Sequence, residues 1–127
     1  MINKTIIILL FAVLLIPLKS GLLEAEEPGG IGLAVLQLYD HNRKDNRGPI
    51  VVLDVLPKGT ALGAGVEKGD MITHVDGETT SGKDYEYILE EMLRGPAYTS
   101  VTLTIRRASS NKTFDMTLDR VESKGLY

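Results

Sequence analysis

Apolar and polar residues alternate along the chain in short segments that are separated by glycine-rich turns. Leu33–Leu38 is an aliphatic run that predicts a strand, and the Val- and Ile-rich run Ile50–Leu56 predicts a strand buried on both faces. Towards the end of the chain, apolar residues occupy every second position, at Val101, Leu103, Ile105, Phe114, Met116 and Leu118. This alternation predicts a hairpin with one buried face.

Helical spacing appears in two places. Thr60 is expected to cap a short helix that runs through Ala64 and ends at Gly65. A longer helix is expected from a cap at Asp84 to about Arg94, with Gly95 as its C′ glycine and the apolar residues Tyr85, Ile88, Leu89, Met92 and Leu93. Between the helices, Met71–Val75 predicts a strand, and Asp76-Gly77 is the strongest hairpin signal in the chain.

The order of these elements predicts the fold class. Strand, strand, short helix, strand, strand, long helix, strand, strand indicates an α+β fold. We expect a small, partly open β-barrel or sandwich of five to six strands, capped by two helices. The chain of 127 residues is long enough for one such domain, which we place at residues 26–121, with a C-terminal tail at 122–127.

The N-terminal residues predict export. Lys4 precedes an apolar run, Ile6–Leu18, that is of signal-peptide length and contains Pro17 near its end. We expect residues 1–25 to be a signal peptide, or residues 5–18 to remain as an uncleaved membrane anchor. Either outcome places the domain in the periplasm or another extracytoplasmic compartment, and only the second gives it a membrane contact.

Composition and spacing exclude several classes of function. A net charge of −3 gives no basic surface for nucleic acid, and the chain has no cysteine. His41 and His74 have no second ligand at metal spacing, and turn chemistry explains Asp54, Asp70 and Asp76. No serine lies in a nucleophile elbow, and the pair Ser81 and Lys83 lies in a loop. We therefore expect no metal, no cofactor and no enzymatic activity.

The glycine-rich stretch Pro28–Val35 is the candidate site. Its sequence, PGGIGLAV, leads directly into the first predicted strand. Glycine allows backbone N–H groups to converge on one point, which favours an anion such as a carboxylate. The strand that follows could pair with an extended peptide through its edge. The stretch therefore predicts a site for the C-terminal tail of another polypeptide.

Residues 29–120 resemble a PDZ domain of the permuted bacterial type. The resemblance is carried by GGIGLAV, VVLDVLPKGTALGAGVEKGDMITHVDG, LRGP and the closing SVTLTIRR and FDMTLDR segments. It is closest to the PDZ module of the tail-specific (C-terminal processing) peptidases, and it does not extend to their Ser/Lys protease domain. Ala61 stands where the family often has a proline.

The resemblance implies a peptide groove between the first long strand and the longer helix. The family's carboxylate-binding loop matches Gly30, Ile31, Gly32 and Leu33, and Ala34 and Val35 continue along the groove. The opposite wall would be formed by Glu86, Leu89, Glu90 and Leu93, which leaves Ile88 and Met92 for the core. On the alternative interpretation, Leu89 and Leu93 belong to the core as well.

We therefore predict an exported, non-catalytic module that binds C-terminal protein tails by strand addition and carboxylate capture. If Glu86 and Glu90 flank the groove, ligands with an upstream basic residue are favoured. The alternative function is an adaptor, or a component that regulates a secretion system or a separate exported protease through its surface. The expected partners are protein or peptide C-termini.

Overall fold

The computed structural model of the protein describes residues 26–127, so the predicted signal peptide at residues 1–25 lies outside the described residues. The elements in this range are β1 (Pro28–Gly30), β2 (Leu33–Tyr39), β3 (Arg47–Val55), α1 (Thr60–Ala64), β4 (Met71–Val75), β5 (Glu78–Thr79), α2 (Tyr85–Tyr87), a π-helical segment (Ile88–Leu93), β6 (Gly95–Pro96), β7 (Ser100–Arg107), β8 (Lys112–Asp119) and β9 (Val121–Glu122). The predicted α+β class is confirmed.

The main sheet contains six antiparallel strands. Its order is β2-β3-β4-β7-β8, and β5 pairs with β4 through the predicted turn at Asp76-Gly77, where both residues have positive φ. The β7–β8 hairpin has the predicted alternation, and its inward residues Val101, Leu103 and Ile105 are fully buried. They pack against Ile50 and Ile72 to form the centre of the core.

The prediction that β3 is buried on both faces is wrong. Val35 pairs with Val52, but the neighbouring Ala34 pairs with Asp54, so Leu53 is an extra residue in β3. Such a β-bulge turns the extra side chain away from the regular alternation. Leu53 is accordingly 58% exposed, whereas Val52 is buried. The aliphatic composition of the run concealed this one-sided strand.

A second, three-stranded sheet closes the side of the domain near the glycine stretch. Its order is β6-β1-β9, with Gly29 opposite both Gly95 and Glu122. The tail that we expected at residues 122–127 therefore begins inside β9, and Leu126 is buried. These residues pack on the domain because β9 pairs with Gly29 and Gly30 in β1.

Neither helix begins with the side-chain capping bond that was predicted. Thr60 is the first residue of α1 rather than its cap, and its hydroxyl donates to the Asp119 carbonyl at 2.7 Å. Asp84 precedes α2 without a side-chain capping bond. Gly65 ends α1 in the left-handed region, as predicted, with φ of 95°.

None of the helices within residues 26–127 is long and apolar enough to cross a membrane.

Gly95 is not the left-handed C′ residue that we predicted. Arg94 is extended at the end of the π-helical segment, and Gly95 continues directly into β6. A Cβ atom on Gly95 would lie 2.7 Å from Cζ of Arg120. Glycine is therefore required here because a buried guanidinium packs against the backbone, and not because of a helix cap.

Candidate functional site

A cavity of about 190 Å³ lies between β2 and the helical segment 85–93. Its lining residues are Gly30, Ile31, Leu33, Ala34, Val35, Tyr85, Leu89, Leu93, Arg94 and Tyr127. The cavity is smaller than the ~300–1,000 Å³ typical of small-molecule sites. Its long apolar wall and its one cationic side chain, that of Arg94, are suited to an apolar residue next to a negative charge. We call this cavity the groove.

Seven of the ten residues predicted for the groove line it: Gly30, Ile31, Leu33, Ala34, Val35, Leu89 and Leu93. Gly32, Glu86 and Glu90 do not line it, and both glutamates are exposed on the helix. The groove also contains Tyr85, Arg94 and Tyr127, which were not predicted as site residues. Ile88 and Met92 are buried in the core.

The π-helical geometry explains the double role of Leu93. The amide of Arg94 donates to the Leu89 carbonyl, five residues earlier, at 3.0 Å. The wider turn brings residues five positions apart, such as Ile88 and Leu93, closer to one face. Leu93 is therefore buried against the core and still borders the groove. The sequence left Leu93 either on the groove side or in the core, and the structure places it in contact with both.

The glycine loop between β1 and β2 is held by close backbone contact. Gly32 has φ of 81°, a conformation that side chains with a Cβ atom disfavour. A Cβ atom on Gly32 would lie 2.6 Å from the Cα atom of Gly59, which precedes α1. Gly32 thus sets the path of the loop by its contact with Gly59, although it does not line the groove.

The carbonyls of this loop accept hydrogen bonds on the side that faces away from the edge of β2. The Ile31 carbonyl accepts from the Ala61 amide at 3.0 Å, and the Gly32 carbonyl accepts from Leu56 at 2.8 Å. In a trans peptide the C=O and N–H groups point in opposite directions. The N–H group of Gly32 therefore points away from α1, and that of Leu33 points away from Leu56. Among residues 26–127, no backbone carbonyl accepts from the amides of Ile31 or Gly32.

β2 lies at the edge of the main sheet. It pairs with β3 on one side, and the helical segment faces its other side across the groove. An edge strand presents N–H and C=O groups that can pair with another chain. Leu33 and Val35 are buried beneath this edge and form the apolar floor of the groove.

Charge is concentrated at the end of the groove near Gly30. Arg94 forms an exposed ion pair with Glu90, one turn earlier on the helix. Arg94 and Tyr127 also border a neighbouring, wider depression whose other lining residues include Glu26, Glu27 and Glu90. A ligand anion at Arg94 would compete with Glu90, because one guanidinium would then face two carboxylates.

Tyr85 bridges the groove from the helix to the strand. Its hydroxyl donates to the Val35 carbonyl at 2.8 Å, in a partly buried position. The sequence placed Tyr85 among the apolar helix residues, and helical spacing carries no information about a partner fifty positions away. The only available signal was that a tyrosine with a buried ring usually finds a partner for its hydroxyl.

The other candidate residues remain apart from the groove. His41 is exposed in the β2–β3 loop, and Nδ1 of His74 lies 3.0 Å from the hydroxyl of Thr73 in β4. Within residues 26–127, no three His, Cys, Asp or Glu side chains form a group that could hold a metal ion. Asp70 is buried and ion-paired with Arg107, at 2.8 Å. The turn that we predicted for Asp70 therefore accounts for only part of its role.

Comparison with known proteins relates this chain to part of the carboxy-terminal-processing proteases. Residues 51–107 match the PDZ domain family. A carboxy-terminal-processing protease of Bartonella bacilliformis is 35% identical over 94 residues, which are 74% of this chain and 20% of the protease. A probable CtpA-like serine protease of Staphylococcus haemolyticus is 29% identical over 84 residues, 66% of this chain and 16% of that protein. The chain thus spans a fifth or less of these relatives.

Solved structures agree with this assignment. The photosystem II D1 C-terminal processing protease superposes with a TM-score of 0.60 at 32% identity, over 77% of this chain and 24% of the protease. The PDZ domain of the carboxy-terminal protease from Vibrio cholerae, solved in complex with a peptide, superposes with a TM-score of 0.57 at 21% identity, over 73% of this chain and 93% of that domain. The chain therefore carries a PDZ domain, of the kind found as a module in carboxy-terminal-processing proteases.

Proposed function

We propose that this PDZ domain binds the C-terminal tails of other polypeptides as an exported, non-catalytic module. The observation that carries the proposal is the groove itself, where an apolar floor and a sheet edge end at a glycine loop whose Ile31 and Gly32 amides donate to no backbone carbonyl of residues 26–127. A tail would pair with the edge of β2, bury its last side chain over Leu33 and Leu89, and place its carboxylate at the loop.

The carboxylate position is supported by two features of the loop. The N–H groups of Ile31 and Gly32 have no backbone acceptor within residues 26–127, and the bound carbonyls direct the Gly32 and Leu33 amides to the opposite side. Arg94 lies at the same end of the groove. Several amides together with a guanidinium would give charge-assisted hydrogen bonds, which are stronger than neutral ones. The peptide in the related Vibrio cholerae domain supports a peptide ligand here.

Titration of the full chain with peptides tests the proposal. We would use a library of decapeptides with free C-termini, each with an amidated twin, and follow fluorescence anisotropy. Free acids are expected to bind with roughly micromolar affinity, because an extended peptide loses entropy when it is ordered. Amidation should weaken binding about tenfold or more, since a charge-assisted hydrogen bond is worth ~1.5–3 kcal/mol. Equal binding of both forms would contradict carboxylate capture.

Arg94→Gln is the matched variant for this test. Arg94 borders the groove and is exposed, so its replacement should weaken binding of the free acids without unfolding the domain. Arg106→Gln is the control, because Arg106 is an exposed arginine that does not line the groove. The ratio of free-acid to amide affinity should fall in Arg94→Gln and stay constant in Arg106→Gln.

The alternative function is a regulatory component of a separate exported protease. It is favoured by one observation, namely that the matched region is a fifth of a longer protease chain in the Bartonella bacilliformis relative. A domain with this function would change the turnover of a partner protease. Peptide binding that survives amidation and Arg94→Gln would favour this alternative over tail capture.

A further inference from the structure

The two ends of the groove are built differently. At one end lie Gly30 and the exposed side chain of Arg94. At the other end, the hydroxyl of Tyr85 reaches across the groove and donates to the Val35 carbonyl at 2.8 Å. The groove is therefore accessible beside the glycine loop and is bridged at Val35, two strand positions beyond Leu33.

Further hydrogen bonds hold the bridged end together. Gln37, near the end of β2, donates through Nε2 to the Lys83 carbonyl at 2.9 Å. Arg47 at the start of β3 donates to the Gly82 carbonyl at 3.1 Å. Lys83 and Gly82 lie in the segment that leads into α2. These ties fix the start of the helix against the sheet, so that Tyr85 is held at its position over β2.

The Tyr85 bond uses a group that a paired ligand strand requires. Along an edge strand, the N–H and C=O groups that face outward belong to every second residue. The Val35 carbonyl is directed towards the helix, since it accepts from Tyr85, and the outward groups next to it belong to Leu33. A tail whose carboxylate sits at the glycine loop would meet Leu33 with its last residue and Val35 with its third-last residue.

We propose that Tyr85 is a length-determining residue, which limits the recognised tail to about two residues because Leu33 and Val35 are two strand positions apart. This inference rests on the proposed tail-binding function. Upstream residues of the ligand leave the groove at Val35, because pairing further along β2 requires the hydroxyl of Tyr85 to give up its acceptor. The specificity of the site then resides in the very end of the ligand.

Peptide trimming in Tyr85→Phe tests this proposal. The probe is the tightest free-acid decapeptide from the library described above, shortened stepwise from its amino end to a dipeptide. In the unmodified protein, trimming should change the affinity less than about threefold. In Tyr85→Phe the decapeptide should bind about two- to tenfold tighter than in the unmodified protein, since one hydrogen bond no longer has to be displaced. The dipeptide, which ends before Val35, should bind both proteins equally.

Tyr87→Phe is the matched control. Tyr87 lies on the same helix, is 42% exposed and does not line the groove, so its replacement should leave the whole trimming series unchanged. A purely structural role of Tyr85 predicts a different pattern, with weaker binding of every length in Tyr85→Phe. That pattern would overturn the proposal.

The remaining outcomes separate the two proposals. If free acids bind better than amides but affinity rises steadily with length in the unmodified protein, the length limit is overturned and tail binding stands. If no peptide binds, or if amides bind as well as free acids, tail binding is overturned and the length limit with it.

Discussion

Arg107 and Arg120 are both largely withdrawn from solvent, but their positive charges are satisfied in different ways. Arg107 meets a carboxylate, donating through Nε and Nη2 to the two oxygens of Asp70 at 2.9 and 2.8 Å. Its guanidinium also lies 4.9 Å from the centre of the Phe114 ring. This pair joins the turn before β4 to the end of β7, away from the groove.

Arg120 meets neutral oxygens instead. It donates to the carbonyls of Leu93 at 3.0 Å, Met92 at 3.1 Å and Ser100 at 3.3 Å, and to the Thr99 hydroxyl at 3.0 Å. Two of these carbonyls belong to the end of the π-helical segment, where the helix dipole is negative. Burial lowers the pKa of Arg120 below its ordinary value. The guanidinium stays charged because arginine begins from so high a pKa.

The comparison separates support for the site from support for the fold alone. Arg120 positions the end of the helix, including Leu93, which borders the groove. Arg107 and Asp70 hold two parts of the main sheet together and contact no groove residue through the hydrogen bonds given above. We therefore expect loss of Arg120 to affect both stability and binding, and loss of the Asp70–Arg107 pair to affect stability alone.

Arg120→Met should have the largest effect on stability. The substitution removes the donor for three carbonyls. Arg120 is only 7% exposed, so these carbonyls would be buried without a hydrogen-bond partner, which lowers stability. We expect the free energy of unfolding to fall by about 3 kcal/mol or more, measured by urea denaturation. The folded fraction should also bind free-acid peptides more weakly, because the end of the helix loses its anchor.

Arg106→Met is the control for this prediction. Arg106 is the exposed neighbour of Arg107 in β7, and substitutions at such surface positions usually change stability by less than ~0.5 kcal/mol. A loss of stability in Arg120→Met as small as that of Arg106→Met would contradict the anchoring role.

These two arginines also mark the limit of what the sequence could predict. The β7–β8 hairpin and the turn at Asp76-Gly77 were predicted because period-2 alternation and turn chemistry act between near neighbours. Arg107 and Asp70 are 37 positions apart, and Arg120 and Leu93 are 27 apart. No local pattern links such pairs. Turn chemistry was enough to explain an aspartate at position 70, so nothing in the sequence indicated its ion pair with Arg107.

The features of the groove also divide into those that the sequence predicted and those that it did not. Its glycine loop and strand were predicted because the glycine spacing and the first segment of the family resemblance, GGIGLAV, both cover Gly30–Val35. The short strands β1, β6 and β9 were missed because pairings of two or three residues have no detectable period. Tyr85 was missed as a site residue because its hydrogen-bond partner is fifty positions away.

Asp70→Asn should have a smaller effect than Arg120→Met. The substitution removes the charge from a residue that is 1% exposed and leaves the guanidinium of Arg107 without its carboxylate. A hydrogen bond to a charged group contributes ~1.5–3 kcal/mol, so we expect a loss of about 2 kcal/mol in urea denaturation. Peptide affinity of the folded protein should not change. A parallel loss of affinity would break the distinction between the two arginines.

The smallest expected effect is a difference in the pH dependence of stability between the sites of Arg107 and Arg120. Burial raises the pKa of Asp70, but hydrogen bonds from Arg107 and from the Glu67 amide outweigh it, and the pKa of the folded protein is lowered below its ordinary value. In the unfolded chain an aspartate titrates near ~3.9. Between the unfolded pKa and the lower folded pKa, the unfolded state therefore binds more protons than the folded state. The stability that Asp70 contributes is complete above the unfolded pKa and is lost as the pH falls through the folded pKa.

Urea denaturation between about pH 2.5 and pH 7 would measure this loss. The difference in unfolding free energy between the unmodified protein and Asp70→Asn should be constant above about pH 5 and shrink below about pH 4, because protonated Asp70 then resembles asparagine. The difference for Arg120→Met should stay constant over the same window, since the hydrogen-bond partners of Arg120 are carbonyls and a hydroxyl that do not titrate there. A constant difference for both variants would mean that Asp70 titrates alike in the folded and unfolded states. The carboxylate would then contribute its hydrogen-bonding shape rather than its charge, and the two arginines would be satisfied in the same way.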